Sequence, residues 1–463
     1  MKIKLKKLYY NGKWRIPNSK KVHRHNTFEG VTVEIPNCNQ IDIKNSISSA
    51  MHAQEKFSVF SDKKKSKILN KISIKIKENA TYLAKKESVE LGKDFISAKK
   101  EIFACANLWK HASKIVREKK IKTIKQKNTK LYEILEPVGV VALIIPWNFP
   151  MIVLSERLPY ILAAGNGVVI KPSENGSLSI ESFIRLISKV GLPPGTINYL
   201  TGDYKAGKNI VNNKNISMIS FTGSTKTGKE IYNSASKTIK RLSLELGGKN
   251  PMAVFSDANI KKACVDVVYS FTHNAGQCCV AGSKLFIEDK IFNKFLNGLE
   301  KQLKKINSFQ NIATLKQYLK IKKLIVESIK DKIPIIFRSK KLFDDKKRII
   351  YPIIFKPQQK IDYLENEIFG PVLTVSSFKS LDKLAQKMND TKYGLSALIW
   401  SRNKSKAIKL ASKIKFGRIW INGNISQNYP DISIGGYKES GLNRETGTSG
   451  LRTYSEIKSI IIN

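Results

Sequence analysis

The chain has 463 residues, of which 41% are hydrophobic, so it can bury a sizeable core and is long enough for two or three lobes. Its 82 Lys and Arg residues against 37 Asp and Glu residues give a net charge of +45, which by itself would suit a nucleic acid or an anionic membrane. The lysines are spread along the chain in short clusters, so compositional drift toward Lys, Ile and Asn is the favoured explanation, and only a non-specific affinity for polyanions at low salt is expected.

The pattern of apolar residues predicts a mixed α/β chain. Residues 10–35 have the turn breaks of short strands, 41–118 have helical spacing, and 121–137 alternate in the way of an extended arm. Thereafter apolar runs alternate with amphipathic stretches, which favours a mostly parallel sheet with helices on both faces. The predicted strands are 140–145, 167–170, 196–200, 218–221, 251–255, 284–287, 397–401 and 418–422.

The five cysteines and five histidines form neither a CxxC pair nor a spaced metal-ligand set. A metal site and a disulfide framework are therefore not predicted. Free thiols indicate a reducing compartment, and the basic N-terminus lacks the apolar run of a secretory signal. The longest apolar run, 138–146, is far shorter than the roughly 20 residues of a membrane span, so we expect a cytoplasmic protein without a membrane partner.

Cys279 and Glu245 are the first candidates for catalysis. Cys279 lies in the segment NAGQCCVAGSK and Glu245 in LELGGKNP, so each is surrounded by small residues. A thiolate can attack a carbonyl carbon, and a carboxylate can take a proton from a thiol or from water. A lone cysteine is more often a small core residue, and the neighbouring Cys278 is interpreted in that way.

Five further segments accompany these two: PWNFP at 146–150, KPSE at 171–174, FTGST at 221–225, EIFGPV at 367–372 and GGYK at 435–438. With them the chain resembles the aldehyde dehydrogenase superfamily, in its hydrolytic branch, from about residue 10 to the C-terminus. The segments follow one another in the order of that family. The resemblance is weakest between about 300 and 360.

The resemblance implies two doubly wound α/β lobes, a Rossmann-type cofactor lobe and a catalytic lobe, together with a β oligomerisation arm. The implied domains are an NAD-binding domain at 1–118 and 138–246, a catalytic domain at 247–440, and an arm and tail at 119–137 and 441–463. The arm would pair with a neighbouring subunit through a strand at 456–462. A homodimer or homotetramer is therefore expected.

The glycine turn after the strand at 218–221 is a candidate phosphate site. Gly223, Ser224 and Gly228 lie where a strand should pass into a helix, and a helix N-terminus favours an anion. The GxxxxG spacing differs from GxGxxG, so a plain turn is an equal alternative on local grounds. The resemblance implies that this is the loop of a nicotinamide cofactor, with Ser224 at the pyrophosphate.

Four more residues are predicted to contact that cofactor. Lys171 and Glu174 follow a strand, and a carboxylate there accepts both ribose hydroxyls and repels a 2′-phosphate, so NAD is favoured over NADP. A solvated start of a helix is the alternative for this Lys-x-x-Glu segment. By the same resemblance Glu367 holds the nicotinamide ribose, and Phe369 belongs to the same contact.

Asn148 is a candidate oxyanion donor. It lies between Trp147 and Phe149 in a turn bounded by prolines, and a rigid side-chain amide can donate to a developing oxyanion. On local grounds alone, an Asn that caps its own turn is the commoner case. The resemblance implies that the Asn148 amide and the backbone N–H of Cys279 form the oxyanion hole, and Trp147 is assigned to the cofactor.

The function predicted from these residues is NAD-dependent oxidation of an aldehyde to a carboxylic acid. Cys279 would form a thiohemiacetal and then a thioester, which water activated by Glu245 would hydrolyse. The presence of Glu245 argues against the alternative of a CoA-acylating enzyme. A second alternative is a basic, polyanion-associating protein on a decayed dehydrogenase fold, which would need broken active-site segments.

Two departures from the family concern the shape of the protein. Ser433 and Ile434 replace the Pro-Phe that commonly precedes GGYK, so a differently shaped substrate pocket is expected. The stretch 305–360 is shortened and rich in Lys and Ile. We expect it to lie away from the chemistry.

Glu156 bears on the choice of substrate. It follows Asn148 by eight residues, about two turns if a helix begins near Pro150. If Glu156 faces the substrate, it would favour cationic aldehydes such as aminoaldehydes or betaine aldehyde. The favoured alternative is an ion pair with Arg157.

Overall fold

The computed structural model describes residues 2–27, 29–118, 122–126, 129–427 and 429–463. Positions 119–121 and 127–128 of the predicted arm lie outside the described residues. The same holds for positions 1, 28 and 428 of the predicted domains.

The helices confirm the helical prediction for 41–118 and for the amphipathic stretches that follow. In chain order they are α1 (Gln40–Ser58), α2 (Asp62–Glu78), α3 (Ala80–Leu91), α4 (Phe95–Glu118), α5 (Pro150–Ser155), α6 (Leu158–Ala164), α7 (Leu178–Ile187), α8 (Tyr204–Val211), α9 (Thr225–Ser236), α10 (Ile260–Thr272), α11 (Phe292–Leu303), α12 (Leu315–Lys330), α13 (Asp362–Glu365), α14 (Leu381–Asn389), α15 (Lys404–Lys413) and α16 (Gly447–Thr453).

The eight strands predicted from residue 140 onward are each present, to within two residues at each end. In chain order the strands are β1 (Lys2–Lys4), β2 (Leu8–Tyr10), β3 (Lys13–Arg15), β4 (Val22–Asn26), β5 (Thr32–Pro36), β6 (Lys122–Gln126), β7 (Thr129–Pro137), β8 (Val140–Ile145), β9 (Gly167–Pro172), β10 (Ile197–Tyr199), β11 (Met218–Thr222), β12 (Arg241–Glu245), β13 (Asn250–Val254), β14 (Gly282–Glu288), β15 (Ile335–Arg338), β16 (Phe343–Asp344), β17 (Ile349–Ile350), β18 (Ile353–Phe355), β19 (Val372–Phe378), β20 (Tyr393–Gly394), β21 (Ser396–Trp400), β22 (Arg418–Ile421), β23 (Tyr437–Lys438), β24 (Gly441–Leu442) and β25 (Ser455–Ile462).

Short-range capping explains where several helices begin. Asn39 precedes α1, and its side-chain oxygen accepts the N–H groups of Ile41 and Asp42 at 2.9 and 3.1 Å. The Asp42 carboxylate accepts the Asn39 N–H in return at 3.1 Å, which completes a capping box. Asn259 caps α10 and Ser224 caps α9 through the same kind of side-chain contact.

The chain divides into two compact units. The first comprises Met1–Leu244, Tyr429–Ile434 and Asn443–Asn463, and the second comprises Glu245–Asn428 and Gly435–Leu442. The assignment of the units to cofactor binding and catalysis stays a prediction.

The main sheet of the first unit has the strand order β12-β11-β8-β9-β10-β2-β3. Strands β11, β8, β9 and β10 are parallel, whereas β2 is antiparallel to β10. The chain order of the strands reverses at β8, and open α/β sheets bind ligands at the carboxyl ends of the strands beside such a reversal. Ile144 of β8 is level with both Lys171 and Phe221, so the loops after β8, β9 and β11 start at the same edge.

The second unit has its own sheet, in the order β15-β18-β19-β14-β13-β21-β22. From β18 to β22 the neighbouring strands are parallel. Strands β9, β13 and β21 are buried along their whole length, which explains why their sequences are mostly apolar and do not alternate. The predicted α/β class with two mostly parallel sheets is therefore confirmed.

The extended arm forms a separate antiparallel sheet in the first unit, in the order β25-β7-β6. β25 pairs with β7 from Ser455 opposite Pro137 to Ile462 opposite Lys130. This confirms the strand predicted at 456–462, which pairs with the described part of the arm within the same chain. A role of this sheet in oligomerisation stays a prediction.

Candidate active site

The predicted site residues divide between the two units. The first unit contains Trp147, Asn148, Lys171, Glu174, Gly223, Ser224 and Gly228, and the second contains Glu245, Cys279, Glu367 and Phe369.

The glycine turn after β11 has the properties of a phosphate site. Ser224 caps the twelve-residue helix α9, and its hydroxyl accepts the N–H of Thr227 at 3.2 Å. A Cβ added to Gly223 would lie 2.5 Å from the Phe221 ring, so the turn needs glycine there. Within the described part of the chain, the buried Oγ1 atoms of Thr222 and Thr225 on either side of the turn have no hydrogen-bond partner. A helix N-terminus with unsatisfied hydroxyls fits the pyrophosphate of a dinucleotide.

Lys171 and Glu174 lie at the carboxyl end of β9. Lys171 is buried and its Nζ donates to the carbonyl of Pro172 at 3.1 Å. Burial lowers the pKa of Lys171, and the negative charge of Glu174 opposes that shift. An ammonium and a partly exposed carboxylate at this edge are suited to holding ribose hydroxyls.

Asn148 is buried in the turn between β8 and α5. The turn is held on one side by Gly176, where an added Cβ would lie 2.8 Å from the Cα of Trp147. On another side the Lys93 ammonium lies 4.1 Å from the centroid of the Phe149 ring. Sequence reasoning missed Lys93, because a contact between a helix and a distant turn leaves no local pattern.

Three of the predicted segments meet in the second unit. A Cβ added to Gly247 would lie 2.6 Å from the Glu367 carboxylate, and one added to Gly248 would lie 2.7 Å from the carbonyl oxygen of Cys279. The Gly248 N–H donates to Glu367 at 3.1 Å. The two glycines that follow Glu245 thus let its loop pass directly beside the cysteine loop and the Glu367 loop.

Asn250 ties this arrangement together. Its side-chain amide donates to the carbonyls of Cys279 and Ala281, both at 2.8 Å, and its side-chain oxygen accepts the N–H of Ser396 at 3.0 Å. Asn250 begins β13 and Ala281 immediately precedes β14. The cysteine loop is therefore fixed at the amino ends of these two strands.

The backbone before Cys279 is strained. Asn274, Ala275 and Gly276 all have positive φ, at 50°, 55° and 71°. Residues other than glycine pay about 1–2 kcal/mol for this conformation. The buried Gln277 side chain stabilises the loop, because its Nε2 donates to the Asn274 carbonyl at 2.9 Å and its Oε1 accepts the N–H of Ala313 at 2.9 Å. Strained backbone that is held by surrounding contacts is frequent at functional sites.

The expectation that 305–360 lies away from the candidate site is wrong for its first part, at residues 313–317. The Gln317 side chain donates to the carbonyls of Ile368 and Phe369 at 3.0 and 3.3 Å, and Ala313 donates to Gln277. The reason is that α12 starts beside the loop that carries Glu367. The composition of the stretch gave no sign of these contacts.

Glu367 has a shifted acidity. Burial raises the pKa of Glu367 to about 7, while the Gly248 N–H bond and the charges of Lys320 and Lys249 act in the opposite direction. Near neutral pH this carboxyl therefore exists in both protonation states and can accept or donate a hydrogen bond to a ribose hydroxyl.

Lys249 is fully buried directly after the glycine pair. Its Nζ has no hydrogen-bond partner among the described residues. Burial lowers the pKa of Lys249 to about 7, and the positive charge of Lys284 acts in the same direction. Sequence reasoning did not select this residue.

The five cysteines are free thiols. Cys38, Cys105 and Cys264 are buried, whereas Cys278 and Cys279 are partly exposed. Burial raises the pKa of Cys38 and of Cys264 to about 12, so these thiols are poor nucleophiles. In the described residues no group of three or more His, Cys, Asp or Glu could hold a metal ion, and no helix there is long and apolar enough to cross a membrane.

Glu156 follows α5, which begins at Pro150 as expected. Its carboxylate accepts a hydrogen bond from Arg157 at 3.2 Å, and the same guanidinium lies 3.8 Å from Glu445. The structure therefore shows the ion pair with Arg157. Nearby, Ile434 exchanges two backbone hydrogen bonds with Glu445, at 2.8 and 2.7 Å.

Comparisons with known proteins agree with this geometry. The family model described as "Aldehyde dehydrogenase family" matches residues 14–460. Betaine aldehyde dehydrogenase of Bacillus subtilis is 34% identical, over 91% of this chain and 90% of that protein. Hydroxyisobutyraldehyde dehydrogenase of Mycolicibacterium austroafricanum is 31% identical, over 98% and 93%.

A solved structure is similar in fold along the whole chain. The crystal structure of an NAD-dependent aldehyde dehydrogenase from Sinorhizobium meliloti superposes with a TM-score of 0.96 at 31% identity, covering 100% of this chain and 95% of that one. The order of the segments, the convergence of three of them in the second unit, and these matches lead to one conclusion. The chain belongs to the aldehyde dehydrogenase family.

Proposed function

We propose that this enzyme oxidises an aldehyde to the carboxylic acid with NAD as the hydride acceptor, through a covalent intermediate on Cys279. The observation that carries the proposal is the convergence in the second unit of the loops bearing Glu245, Cys279 and Glu367, made close by Gly247 and Gly248. A nucleophile, a carboxylate base and a ribose-binding carboxyl are the groups that this reaction needs.

In the first step the Cys279 sulfur bonds to the aldehyde carbon, and the thiol proton passes to a base. The carbonyl oxygen becomes an oxyanion, to which the side-chain amide of Asn148 and the backbone N–H of Cys279 donate in our proposal. Such donors lower the barrier because charge develops on that oxygen in the transition state. The hydride that leaves the same carbon would pass to bound NAD, and a thioester would remain on Cys279.

In the second step Glu245 takes a proton from water, and the water oxygen attacks the thioester carbon. The bond to sulfur breaks, the carboxylic acid leaves, and the Cys279 thiol is restored. Glu245 is buried, with 6% of its surface exposed. The presence of Glu245 is the reason to prefer hydrolysis over transfer to CoA.

The residues of the first unit fit NAD as the cofactor. Thr222, Ser224 and Thr225 offer hydroxyls at the N-terminus of α9, where the pyrophosphate would bind. Lys171 and Glu174 would hold the adenosine ribose. Because the carboxylate of Glu174 would repel a 2′-phosphate, we propose NAD rather than NADP.

For the substrate we propose a small aldehyde. The two relatives described above are named for betaine aldehyde and hydroxyisobutyraldehyde, one cationic and one neutral. Because Glu156 is paired with Arg157, it is not expected to select a cation. Glu156→Gln should therefore change kcat/KM for betaine aldehyde and for a neutral aldehyde of similar size to the same extent. A loss of about tenfold, or 1.4 kcal/mol, confined to betaine aldehyde would instead assign Glu156 to the substrate.

The oligomeric state and the cellular location of the enzyme are also part of the proposal. We propose a homodimer or homotetramer assembled through the β25-β7-β6 sheet, and a cytoplasmic location suited to free thiols. A decayed, polyanion-binding protein is disfavoured, because each catalytic residue type is present and the three loops converge.

NADH formation over a panel of aldehydes, with and without CoA, tests the proposal. We expect NADH and the carboxylic acid without CoA for at least one small aldehyde. NADH only in the presence of CoA would indicate the acylating reaction. No NADH with any aldehyde, from folded protein that binds NAD, would favour the decayed fold.

A further inference from the structure

Helix α3 carries two buried carboxylates, Glu87 and Glu90, that the proposed reaction does not use. They are three residues apart and therefore lie on the same face of the helix. Their exposed fractions are 1% and 3%. Buried carboxylates are rare unless they are paired or hydrogen-bonded, so their contacts show what they do.

Glu87 holds the turn that contains Asn148. One of its oxygens accepts the N–H of Met151, three residues after Asn148, at 3.1 Å. The other accepts a hydrogen bond from the Lys93 ammonium at 3.1 Å. Lys93 also donates to Glu101 at 2.5 Å and lies against the Phe149 ring. The turn is therefore attached to α3 and α4 by both its backbone and its aromatic side chain.

Glu90 holds the loop that contains Glu174 in the same way. Its two oxygens accept the N–H groups of Ser177 and Leu178 at 3.0 and 2.8 Å, at the start of α7. The two loops also touch, since Gly176 lies against Trp147. One turn of α3 thus holds the loop after β8 and the loop after β9 side by side.

These contacts replace the local caps that helices normally have. Neither Phe149 before α5 nor Ser177 before α7 caps its own helix with its side chain. A helix whose first N–H groups are satisfied from a distant element takes its position from that element. Burial raises the pKa of Glu90 to about 8, while the two N–H bonds oppose the shift. Burying a carboxyl group there is costly for capping alone, a task that a local Ser or Asp could perform.

We propose that Glu87 and Glu90 are positioning residues: Glu87 sets the place of the Asn148 amide, and Glu90 sets the place of the cofactor-binding loop with Glu174. This inference rests on the proposed function, which gives Asn148 and Glu174 their roles. It adds that α3 determines the geometry of both groups.

The experiment compares Glu87→Gln and Glu90→Gln in the full chain, with Glu78→Gln as the matched control. Glu78 is exposed and is the last residue of α2, the helix that precedes α3 in the chain. Gln keeps the volume of Glu and places an NH₂ group where one accepting oxygen was. Three quantities are measured: hydrolysis of p-nitrophenyl acetate without NAD, the Kd for NAD, and the melting temperature.

Ester hydrolysis isolates the role of Asn148, because it uses the nucleophile and the oxyanion donors without a hydride acceptor. The Cys279 sulfur bonds to the acetyl carbon and p-nitrophenolate leaves. Water then releases acetate and restores the thiol. Binding of NAD to the free enzyme isolates the loop that contains Glu174.

We expect Glu87→Gln to slow ester hydrolysis and kcat for the aldehyde about tenfold, less than the roughly 10²–10³-fold cost of losing an oxyanion donor, with the Kd for NAD within about twofold. Glu90→Gln should raise the Kd for NAD about tenfold and leave ester hydrolysis within about twofold. Glu78→Gln should change neither. If a Gln variant does not fold, the Asp variant is read in the same way, because it keeps the charge and withdraws the oxygens by one methylene.

The proposal is overturned if Glu87→Gln leaves ester hydrolysis unchanged and Glu90→Gln leaves the Kd for NAD unchanged. It is also overturned if each variant loses both readouts in proportion to a fall in melting temperature, since that is the behaviour of a general scaffold. If the wild-type protein oxidises no aldehyde and hydrolyses no ester, the proposed function fails, and the binding of NAD to Glu90→Gln still decides whether α3 positions the loop after β9.

Discussion

The chemistry at residue scale depends on how Cys279 and Glu245 divide the reaction between them. Cys279 forms the covalent bond, and Glu245 acts in the hydrolysis that releases the product in our proposal. The two roles can be separated, because hydride transfer precedes hydrolysis and NADH is counted directly.

Glu245→Gln should therefore form one equivalent of NADH per active site in a burst and then turn over slowly. The steady-state rate should fall about 10²–10⁴-fold, the usual contribution of a general base, while the burst persists. Rapid mixing with NADH absorbance measures both phases. A variant that loses the burst together with the steady state would show that Glu245 is needed before the thioester forms.

The burial of Lys249 predicts how the free energy of unfolding changes with pH. In the unfolded chain a lysine titrates near 10.4, whereas burial lowers the pKa of Lys249 in the folded protein to about 7. The unfolded state thus holds more protons between these values, and the cost of burying Lys249 is full below pH 7 and declines as the pH rises toward 10.

Lys249→Met should accordingly raise the free energy of unfolding by about 1–3 kcal/mol at pH 6, and by less at pH 9. Lys240→Met is the matched control: Lys240 is also buried, but its Nζ donates to the carbonyls of Asn213 and Ile216 at 2.7 and 2.8 Å, so its replacement should destabilise. Thermal unfolding at both pH values measures the change. A destabilised Lys249→Met protein at pH 6 would mean that the ammonium has a favourable partner.

Residue types with local chemistry could be selected from the sequence, and residues that act at a distance could not. Cys279, Glu245 and Glu367 lie in recognisable segments, and the structure brings those segments together. Glu87 and Glu90 act on backbone groups far along the chain. No spacing rule connects a helix to such partners, so only the folded chain reveals them.

Elements were predictable where apolar residues form an unbroken run or recur at helical spacing. The buried parallel strands β8, β9 and β13 are continuous apolar runs, and α1 to α4 follow helical spacing. The loop before Cys279 was not predictable, because three successive residues with positive φ depend on contacts with other loops and not on their own propensities.

Gly276 in that loop leads to a prediction about the stability of a Gly276→Ala variant. Gly276 has a φ of 71°, and an added Cβ would lie 2.4 Å from the backbone of Gly370. Gly30 has nearly the same φ, 74°, with nothing within 4 Å. Gly30→Ala should cost about 1 kcal/mol of stability, the price of the backbone conformation alone.

Gly276→Ala should cost a further 1–3 kcal/mol, because the methyl group collides with rigid backbone, so its total should reach about 2–4 kcal/mol. Activity should fall with it, since Cys279 follows three residues later. Denaturant unfolding of the two variants side by side measures the difference. Equal losses of stability would contradict the contact between Gly276 and Gly370.

The whole molecule combines two α/β units with a β arm, and its class was predictable from the alternation of strands and helices. The order of the strands was not, because parallel neighbours are joined by long crossovers and register is set by packing between strands. The reversal of strand order at β8 is a property of the folded chain. It places the loops of Asn148, Glu174 and Ser224 at one edge of the first sheet.

The net charge of +45 belongs to this scale as well. It bears on weak, salt-sensitive association with polyanions and carries no information about the fold. The family of the protein could be predicted from the order of its short segments, although the composition is unusual.

The most direct test of the central claim compares Cys279→Ala with Cys278→Ala in NADH formation with the best aldehyde of the panel. The two cysteines are adjacent and both partly exposed, so each variant controls for the other. The expected result is that Cys279→Ala abolishes NADH formation, because Cys279 is the proposed nucleophile, while Cys278→Ala retains wild-type activity within about threefold. NADH formation at an undiminished rate by Cys279→Ala would contradict it.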